Sequence, residues 1–266
     1  MSLTGKTLAN TYKDLLQVDN SNNGVDTTVR QVKDGEGTIS ALKISDDQVH
    51  ITPQNDDTTR AFRVNTVGET EVLSVDTTNQ LVVASGNNVN TQYAYFGNGI
   101  GLTSVNAAGY HYPLYFGGAF NGGMAGLGDQ ENHFGNATDP ATSFTTAIAT
   151  DQYASNLLYY MWYVPDAMSI DAVSSIEAAD AATGDTTRFH LMSYTFNSGS
   201  TSCLTSGTLV AHNSDTTNAG GEQVYLSNWT VDSAAISAGK VLICTFESDS
   251  INSDYAYTVT VKYHLT

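Results

Sequence analysis

Positive charge is the scarcest feature of this chain. Its 266 residues include 10 lysines and arginines against 27 aspartates and glutamates, which gives a formal net charge of −17 at pH 7. After residue 86 the imbalance is strongest, with 15 acidic and 3 basic side chains. A surface of this sign repels phosphate, so the composition argues against nucleic-acid binding and against an anionic membrane surface. The simplest interpretation is a solvated acidic surface that keeps the protein soluble.

Long hydrophobic runs are also absent. The longest, residues 157–164, has eight residues and ends at Pro165, whereas about 20 apolar residues are needed to cross a bilayer. The first six residues carry one lysine and are not followed by an apolar core of signal-peptide length. We therefore expect neither membrane insertion nor a secretory signal.

Cysteine is nearly absent as well. The two cysteines, Cys203 and Cys244, lie in separate predicted strands. They could pair, but two free thiols, buried in the fold, fit better a protein that is assembled in a reducing cytosol.

No catalytic motif is evident, and we expect a protein that is not an enzyme and needs no cofactor. The serine-nucleophile pattern G-x-S-x-G is missing, the six histidines lack metal-ligand spacing, and the glycines at 97–101 lack a P-loop lysine. Carboxylates are plentiful, yet no local motif pairs two of them for glycoside hydrolysis. A carbohydrate-cleaving site is therefore the minor alternative.

One segment has the composition of a metal-binding loop. Residues 19–26 match the D-x-S-x-N-G opening of a calcium loop, but its twelfth position is Arg30. That position requires a bidentate glutamate, and no helix pair flanks the loop. We predict a polar turn between strands here, while an ion near Asp19 stays open.

Aromatic residues divide the chain into two parts. Of the 26 aromatic side chains, only Tyr12 and Phe62 precede residue 87. Only the second part can therefore build a conventional core. We place the boundary in the turn-rich stretch 85–88, which gives domains of residues 1–86 and 87–266.

The first part predicts one short helix followed by short strands. Leu8, Tyr12, Leu15 and Leu16 recur at the spacing of one amphipathic helix. A helix of about 12 residues is marginal in water, so it must dock against another surface. Strands are predicted around Leu42, Val49, Phe62, Leu73 and Val82. Because strands this short bury too little apolar surface alone, they must share a core with other chains.

The inward-facing side chains of these strands follow from the alternation of apolar residues. We predict that they are Ile44, Ile51, Phe62, Val64 and Val75.

The second part predicts an antiparallel β-sandwich of about eight strands, of the jelly-roll kind. The clearest strand spans residues 255–265, with tyrosines and valines on one face and mostly polar residues on the other. Further strands are predicted at residues 157–164, 188–196, 208–212, 223–226 and 240–246.

Two segments of the second part do not alternate in this way. Residues 157–164 favour a strand buried on both faces, with a buried helix turn as the alternative. Residues 171–182 are the only stretch predicted as a helix or long loop.

Several motifs occur in an order that resembles a known class of proteins. FxVNxxG at 62–68 is followed by VxxVDTT at 72–78 and LxV at 81–83. Upstream lie TGKTLANTY at 4–12, NGVDTT at 23–28, DGEGT at 34–38 and PxNDDTT at 53–59. Together they resemble the shaft repeats and opening segments of small fibre and spike proteins, head or tail appendages, of tailed bacteriophages of the marine type. The order of the motifs carries the resemblance, because each turn motif alone is common.

The resemblance implies a homotrimeric fibre or spike of the virion, assembled in the host bacterial cytoplasm. The N-terminal helix, with Leu8, Tyr12, Leu15 and Leu16, would be the virion anchor on capsid, portal-vertex or tail proteins, or would dock onto its own trimer. The first part would form an intertwined trimeric β shaft and the second part the tip. The alternatives are a capsid decoration protein without receptor binding and a polysaccharide-degrading tailspike.

The glycine-rich aromatic segment 97–135 supplies the candidate contacts to a host-surface glycan or protein. Tyr110, His111, Tyr112 and Phe120 lie in it, and aromatic faces stack on sugars and provide rigid contact area. The alternative is that these rings fill the core or a subunit interface.

Overall fold

The fold is described from a computed structural model. It describes residues 12–99, 108–117, 133–146, 154–180, 183–220, 223–250 and 254–266. Within them the chain consists of antiparallel β-sheets, one turn of 3-10 helix (Tyr12–Asp14) and the short helix α1 (Ala154–Leu157). The predicted all-β class is confirmed. In these ranges, every helix falls short of the length and apolarity that a membrane span requires.

The chain divides into two compact units, Met1–Val89 and Asn90–Thr266. In the first unit, each of two four-stranded sheets joins strands that are neighbours in sequence. One sheet contains β1 (Gln17–Val18), β2 (Arg30–Lys33), β3 (Ile39–Ile44) and β4 (Val49–Ile51). The other contains β5 (Phe62–Asn65), β6 (Glu71–Asp76), β7 (Leu81–Ala84) and β8 (Asn87–Asn88). All five predicted strand centres fall inside these strands.

The division between the units lies three residues after the predicted boundary. Ser85 and Gly86 have φ angles of 49° and 80°, as a tight two-residue hairpin turn requires. This turn folds the chain back so that Asn87 and Asn88 pair with Ala84 and Val83. The stretch expected to link the two parts therefore belongs to the first unit.

The predicted N-terminal helix is shorter in its described part than the sequence pattern indicated. Leu15 and Leu16 follow the 3-10 turn and are not helical, because β1 begins directly after them and pairs with β2. Leu16 is exposed and Leu15 half-buried. Leu8 lies outside the described residues.

The second unit contains two antiparallel sheets. Sheet I has the order β10 (Tyr112–Pro113), β20 (Lys240–Ser248), β14 (Thr186–Phe196), β15 (Leu204–His212) and β18 (Thr230–Val231), with β12 (Trp162–Tyr163) on β20 and β16 (Thr216–Thr217) on β14. Sheet II has the order β11 (Tyr115–Phe116), β9 (Thr91–Gly99), β21 (Asp254–Leu265), β13 (Met168–Asp180) and β17 (Gln223–Asn228), with β19 (Ala235–Ile236) on β13.

Sheet I is covered on both faces. The inner core unites its Leu191, Cys244 and Phe246 with Val259 and Val261 of sheet II. Neighbouring residues of β14 and β20 point the other way, into a second apolar cluster, the outer cluster. Its members are Phe134, Phe144, Leu157, Met192, Tyr194, Leu204, Val241 and Ile243. Side chains alternate along a strand, so two covered faces explain the nearly continuous apolar run of β20.

The last strand was predicted correctly in most of its positions. Tyr255, Tyr257, Val259 and Val261 are buried in the inner core, and Tyr263 packs against it. The strand departs from the pattern at its end, where Leu265 is exposed. There His264 is buried instead, because its Nδ1 lies 2.8 Å from Asp171 Oδ1.

The prediction for residues 171–182 was wrong, because Met168–Asp180 is the long strand β13. Alanine and glutamate favour helices, but β13 pairs with β21 on one side and β17 on the other. Its Val173, Ser175 and Glu177 are buried toward the core. Pairing on both edges thus overrides local propensity.

The strand predicted at residues 157–164 was also wrong. The described structure has α1 ending at Leu157, a turn, and only Trp162 and Tyr163 paired with β20. Leu157 is buried in the outer cluster, whereas Leu158 and Tyr159 are exposed. The alternative of a buried helix turn describes the start of this segment better.

The expectation of two buried free thiols holds in full for Cys244, whereas Cys203 is free but half-buried. Cys203 and Cys244 are unpaired. Cys244 lies in the inner core, and Cys203 packs against the outer cluster. They lie on opposite faces of sheet I.

Gly207 lies where β15 meets the loop that covers sheet I. Its N–H donates to Thr142 O at 2.8 Å, and a Cβ at this position would lie 2.7 Å from Tyr194 Cε1 and 2.8 Å from Thr142 Cα. We predict that Gly207→Ala destabilises the second unit by about 1–3 kcal/mol, the usual cost of overpacking. Urea unfolding, with Thr208→Ala as control, measures this. Equal urea midpoints for the two variants would show that the loop at Thr142 shifts without cost to accommodate the added methyl group.

Candidate functional site

Four of the six histidines gather around the outward face of sheet I. His190 of β14 lies opposite His212 of β15 in the strand register, and their ring centroids are 6.4 Å apart. The His111 ring meets the His190 ring edge-on, with centroids 4.9 Å apart. His133 belongs to segment 133–137 of the same chain, which covers the other three rings, and its Nδ1 accepts from Gly135 N at 3.0 Å. We call these four side chains the histidine cluster.

Charged groups surround the histidine cluster. Arg188 binds Asp215 through two nitrogens, at 2.7 and 2.5 Å, and Glu247 at 3.3 Å. Glu247 Oε2 lies 3.7 Å from His111 Nε2, and Asp139 Oδ1 lies 3.6 Å from His190 Nε2. Both distances exceed a hydrogen bond, so these carboxylates lie beside the two buried rings without binding them directly.

Backbone hydrogen bonds fix the chain segment that covers the cluster. His111 Nε2 donates to Ala137 O at 2.7 Å, while the N–H groups of His111 and Phe134 donate to Gly135 O and His111 O. The segment 133–137 is therefore tied to His111 by main-chain and side-chain contacts together.

Burial keeps the two central histidines neutral. Desolvation lowers the pKa of His111, and it lowers the pKa of His190 to about 3, where a proton on the neighbouring His111 and the charge of Arg188 act in the same direction. Among the described residues, the Nδ1 atoms of both rings have no hydrogen-bond partner. A proton added here would place a charge in a buried position beside Arg188, which costs free energy.

This arrangement gives the cluster a response to acid rather than a recognisable catalytic geometry. Within the described ranges, three or more His, Cys, Asp or Glu side chains nowhere converge as metal ligands would. No sequence signal indicated the cluster, because its members come from four separate segments that meet only in the folded chain.

A second buried titratable group lies between the sheets. Glu177 is buried in β13, where its carboxylate accepts from Thr187 Oγ1 at 2.6 Å and from Asn218 Nδ2 at 3.5 Å. Burial raises the pKa of this carboxyl group. Its protonation removes a buried charge, so acid acts on Glu177 with the opposite sign to its action on the histidine cluster.

The structure places the predicted receptor contacts mostly inside the protein. His111 and Tyr112 are fully buried, because β10 pairs with β20 and Tyr112 enters the inner core. Tyr110 is half-buried with its ring 4.4 Å from that of His133, and Phe120 lies outside the described residues. His111 and Tyr112 are thus core residues rather than surface contacts.

Exposed aromatic rings occur instead along one edge of sheet II. Tyr93 and Tyr95 point outward from β9, and Tyr159 and Phe116 are exposed nearby. Hydrogen bonds from Gly117 N to Tyr95 O, and from Phe116 N to Tyr159 O, join these segments. We call Tyr93, Tyr95 and Tyr159 the tyrosine edge. Three of residues 93–96 are aromatic, but composition alone does not indicate which rings are exposed.

The segment that resembled a calcium loop is a polar turn, as predicted. Asp26 accepts from Arg30 Nη2 at 2.8 Å and Thr28 N at 2.9 Å, while Asn20 Nδ2 donates to Gly24 O. These hydrogen bonds, with that from Arg30 the strongest influence, lower the pKa of Asp26 to about 2. The guanidinium group of Arg30 supplies the positive charge next to this carboxylate.

Comparison of the chain with known protein families and with curated proteins gave no match.

We predict that His190 weakens the second unit in acid. Its pKa in the folded state, about 3, lies below the ordinary value of 6.5. The unfolded chain therefore binds the extra proton first, and stability is lost as the pH falls from about 6.5. Between pH 7 and pH 5 the loss from one such group is about 2 kcal/mol.

The measurement is urea unfolding of the full chain at both pH values. His190→Phe keeps a ring but cannot titrate, so it should lose about 2 kcal/mol less than the parent on acidification. His50→Phe, at an exposed histidine, is the control and should behave as the parent. Equal losses in all three proteins would contradict a neutral, buried His190.

Proposed function

We propose that this protein is a structural appendage of a tailed-phage virion and not an enzyme. In this proposal it is a homotrimeric fibre or spike. The first unit provides the virion anchor and an intertwined β shaft, and the second unit is a jelly-roll-like tip that engages a host-surface glycan or protein.

The observation that carries the proposal is the lack of apolar burial in the first unit. Among the described residues 12–89, Val32 is the sole large apolar side chain that is buried. Those that are exposed include Ile39, Val49, Ile51, Phe62, Val64, Val72 and Val82. Sheets of short strands are not stable with their apolar side chains in water. Other copies of the chain, or the virion, would provide the missing cover.

The predicted inward-facing residues belong to this group. Ile51, Phe62 and Val64 are exposed within one chain, and Ile44 and Val75 are half-buried. Phe62 lies directly opposite Val75 in the register of β5 and β6. Phe62 and Val75 thus form an apolar strip that a neighbouring chain can cover.

The strand order adds a second support. Strands of the first unit pair with their neighbours in sequence, so the hairpins form within one chain. The outermost strands, β1 and β4 in one sheet and β5 and β8 in the other, have edges that can pair with another chain. An intertwined shaft in this proposal joins hairpins that each belong to one chain along their faces and edges, rather than exchanging every strand.

The tip differs from the shaft in having its own core and most of the charge excess. Because His111 and Tyr112 are buried, we propose the tyrosine edge, whose rings are exposed, as the contact surface instead. A decoration protein would share the shaft but would not use the tyrosine edge, and a polysaccharide-degrading tailspike would release glycan fragments. Binding and release assays on host envelope polysaccharide, with Tyr95→Ala as a variant, separate these three roles.

We predict that Phe62→Ala dissociates the oligomer. Truncation of a buried phenylalanine costs about 3–5 kcal/mol, and symmetry repeats this loss in each subunit. Val67→Ala, at a fully exposed turn position, is the control. Light scattering should give a trimer mass for the parent and the control, and a lower mass for Phe62→Ala. An unchanged mass and melting temperature for Phe62→Ala would place Phe62 outside the interface.

We also predict that the first unit alone directs incorporation into particles. Residues 1–89, fused to an unrelated trimeric domain, should be recovered on virions that lack the native protein, because anchor and shaft lie within them. Residues 90–266 should fold but remain in the supernatant. The reverse result would assign the anchor to the second unit.

A further inference from the structure

The outward face of sheet II carries an aliphatic patch. Val224, Leu226 and Ile176 are 71%, 70% and 51% exposed. Leu226 lies directly opposite Ile176, and Val224 directly opposite Ala178, in the pairing of β17 with β13. Directly opposed residues of an antiparallel pair share a face at close distance. Ala256 of β21 continues the row from Ala178, so these five side chains form one surface, which we call the aliphatic patch.

The patch continues into a neutral surface across the sheet. One row runs from Leu226 through Ile176 and Thr258 to Gly97, and the next from Asn228 through Ser174 and Thr260 to Tyr95. No acidic residue stands in these two rows of described residues. The carboxylate of this part of β13, Glu177, is buried on the opposite face. A chain with a net charge of −17 thus has a wide area without negative charge.

This face departs from the usual pattern of a sandwich. An antiparallel sheet with one face on the core normally presents polar side chains on the other. The three strands β17, β13 and β21, about 4.8 Å apart, and the three rows through Val224, Leu226 and Asn228, about 6.8 Å apart, give the face an area on the order of 300 Å². The aliphatic patch occupies part of this face, and the rest is polar but uncharged. Exposed apolar patches of a few hundred Å² are often functional, and a standard interface uses about 800 Å² per partner. The face is large enough to form the centre of an interface, though not all of it.

Charge decides which partner fits. Two copies of this chain repel each other over most of their surface, because both are strongly acidic. They can approach closely only where neither presents carboxylates, and the two rows provide one surface of this kind on each copy. A basic partner would instead be attracted to the acidic surface elsewhere on the second unit.

We infer that the outward face of sheet II formed by β17, β13 and β21, centred on the aliphatic patch, is the surface through which the second unit packs against another copy of this chain, while the tyrosine edge at β9 stays exposed. The inference rests on the proposed function for the expectation that copies lie side by side. It adds a contact between tips that the shaft does not provide.

The test is hydroxyl-radical labelling of leucine side chains in the full-length protein, with the mass measured on the same sample. Leu158 is 72% exposed and Leu226 70% exposed in one chain, so the two should react alike unless another copy covers one of them. We expect Leu226 to react several-fold more slowly than Leu158 in the oligomer. Equal rates in an oligomeric sample would contradict a contact through this face but not the proposed oligomer. Equal rates in a monomeric sample would contradict both the contact and the oligomer.

A charge variant checks the cause of the protection. Leu226→Glu adds a negative charge to the patch, so Val224 should become as reactive as it is in an isolated chain. Thr230→Glu adds the same charge at an exposed position of sheet I and should leave Val224 protected. Protection of Val224 in both variants would overturn the inference, as would protection of Leu226 that arises only on the intact particle.

Discussion

The ladder between β14 and β20 is the constraint on which the second unit depends. It runs without a break from the pair of Thr187 and Ser248 to the pair of Thr195 and Lys240. Because side chains alternate along both strands, one ladder supplies the inner core on one face and the outer cluster on the other. The remaining strands of sheet I attach to its two sides. The histidine cluster also depends on it, since His190 holds its place only through this register.

The two units reach order by different routes. In the first, turn residues such as Ser85 and Gly86 specify hairpins locally, but these hairpins bury almost no apolar surface within one chain. In the second, long strands pair across large sequence separations and enclose a core of aromatic and aliphatic side chains. Local turn chemistry can fix a register without fixing stability. In the function proposed above, the first unit would become stable on assembly, whereas the second unit would fold around its own core.

The sequence predicted what depends on local pattern and missed what depends on distant pairing. The strand at Leu73, the polar turn at Asp26 and the buried face of the last strand all follow from neighbours along the chain. The strand at Val173 was missed because alanine and glutamate mimic a helix, and only its pairing with two other strands decides the outcome. His111 looked like a surface residue because glycine-rich surroundings suggest a loop. No local signal shows that this segment enters sheet I beside a histidine 79 positions later.

Desolvation acts on both buried titratable sites, but its consequences in acid are opposite. Glu177 loses a charge on protonation, so the polar contacts between the sheets become easier to bury as the pH falls. His111 and His190 gain charge, beside each other and beside Arg188, beneath the segment that Ala137 and Gly135 tie to His111. Acid therefore destabilises the packing of segment 133–137 on sheet I, while it stabilises the contacts of Glu177 between the two sheets. We expect the covering segment to open before the sandwich itself separates, because among the described residues the inner core contains no group that must be charged in acid and buried at once.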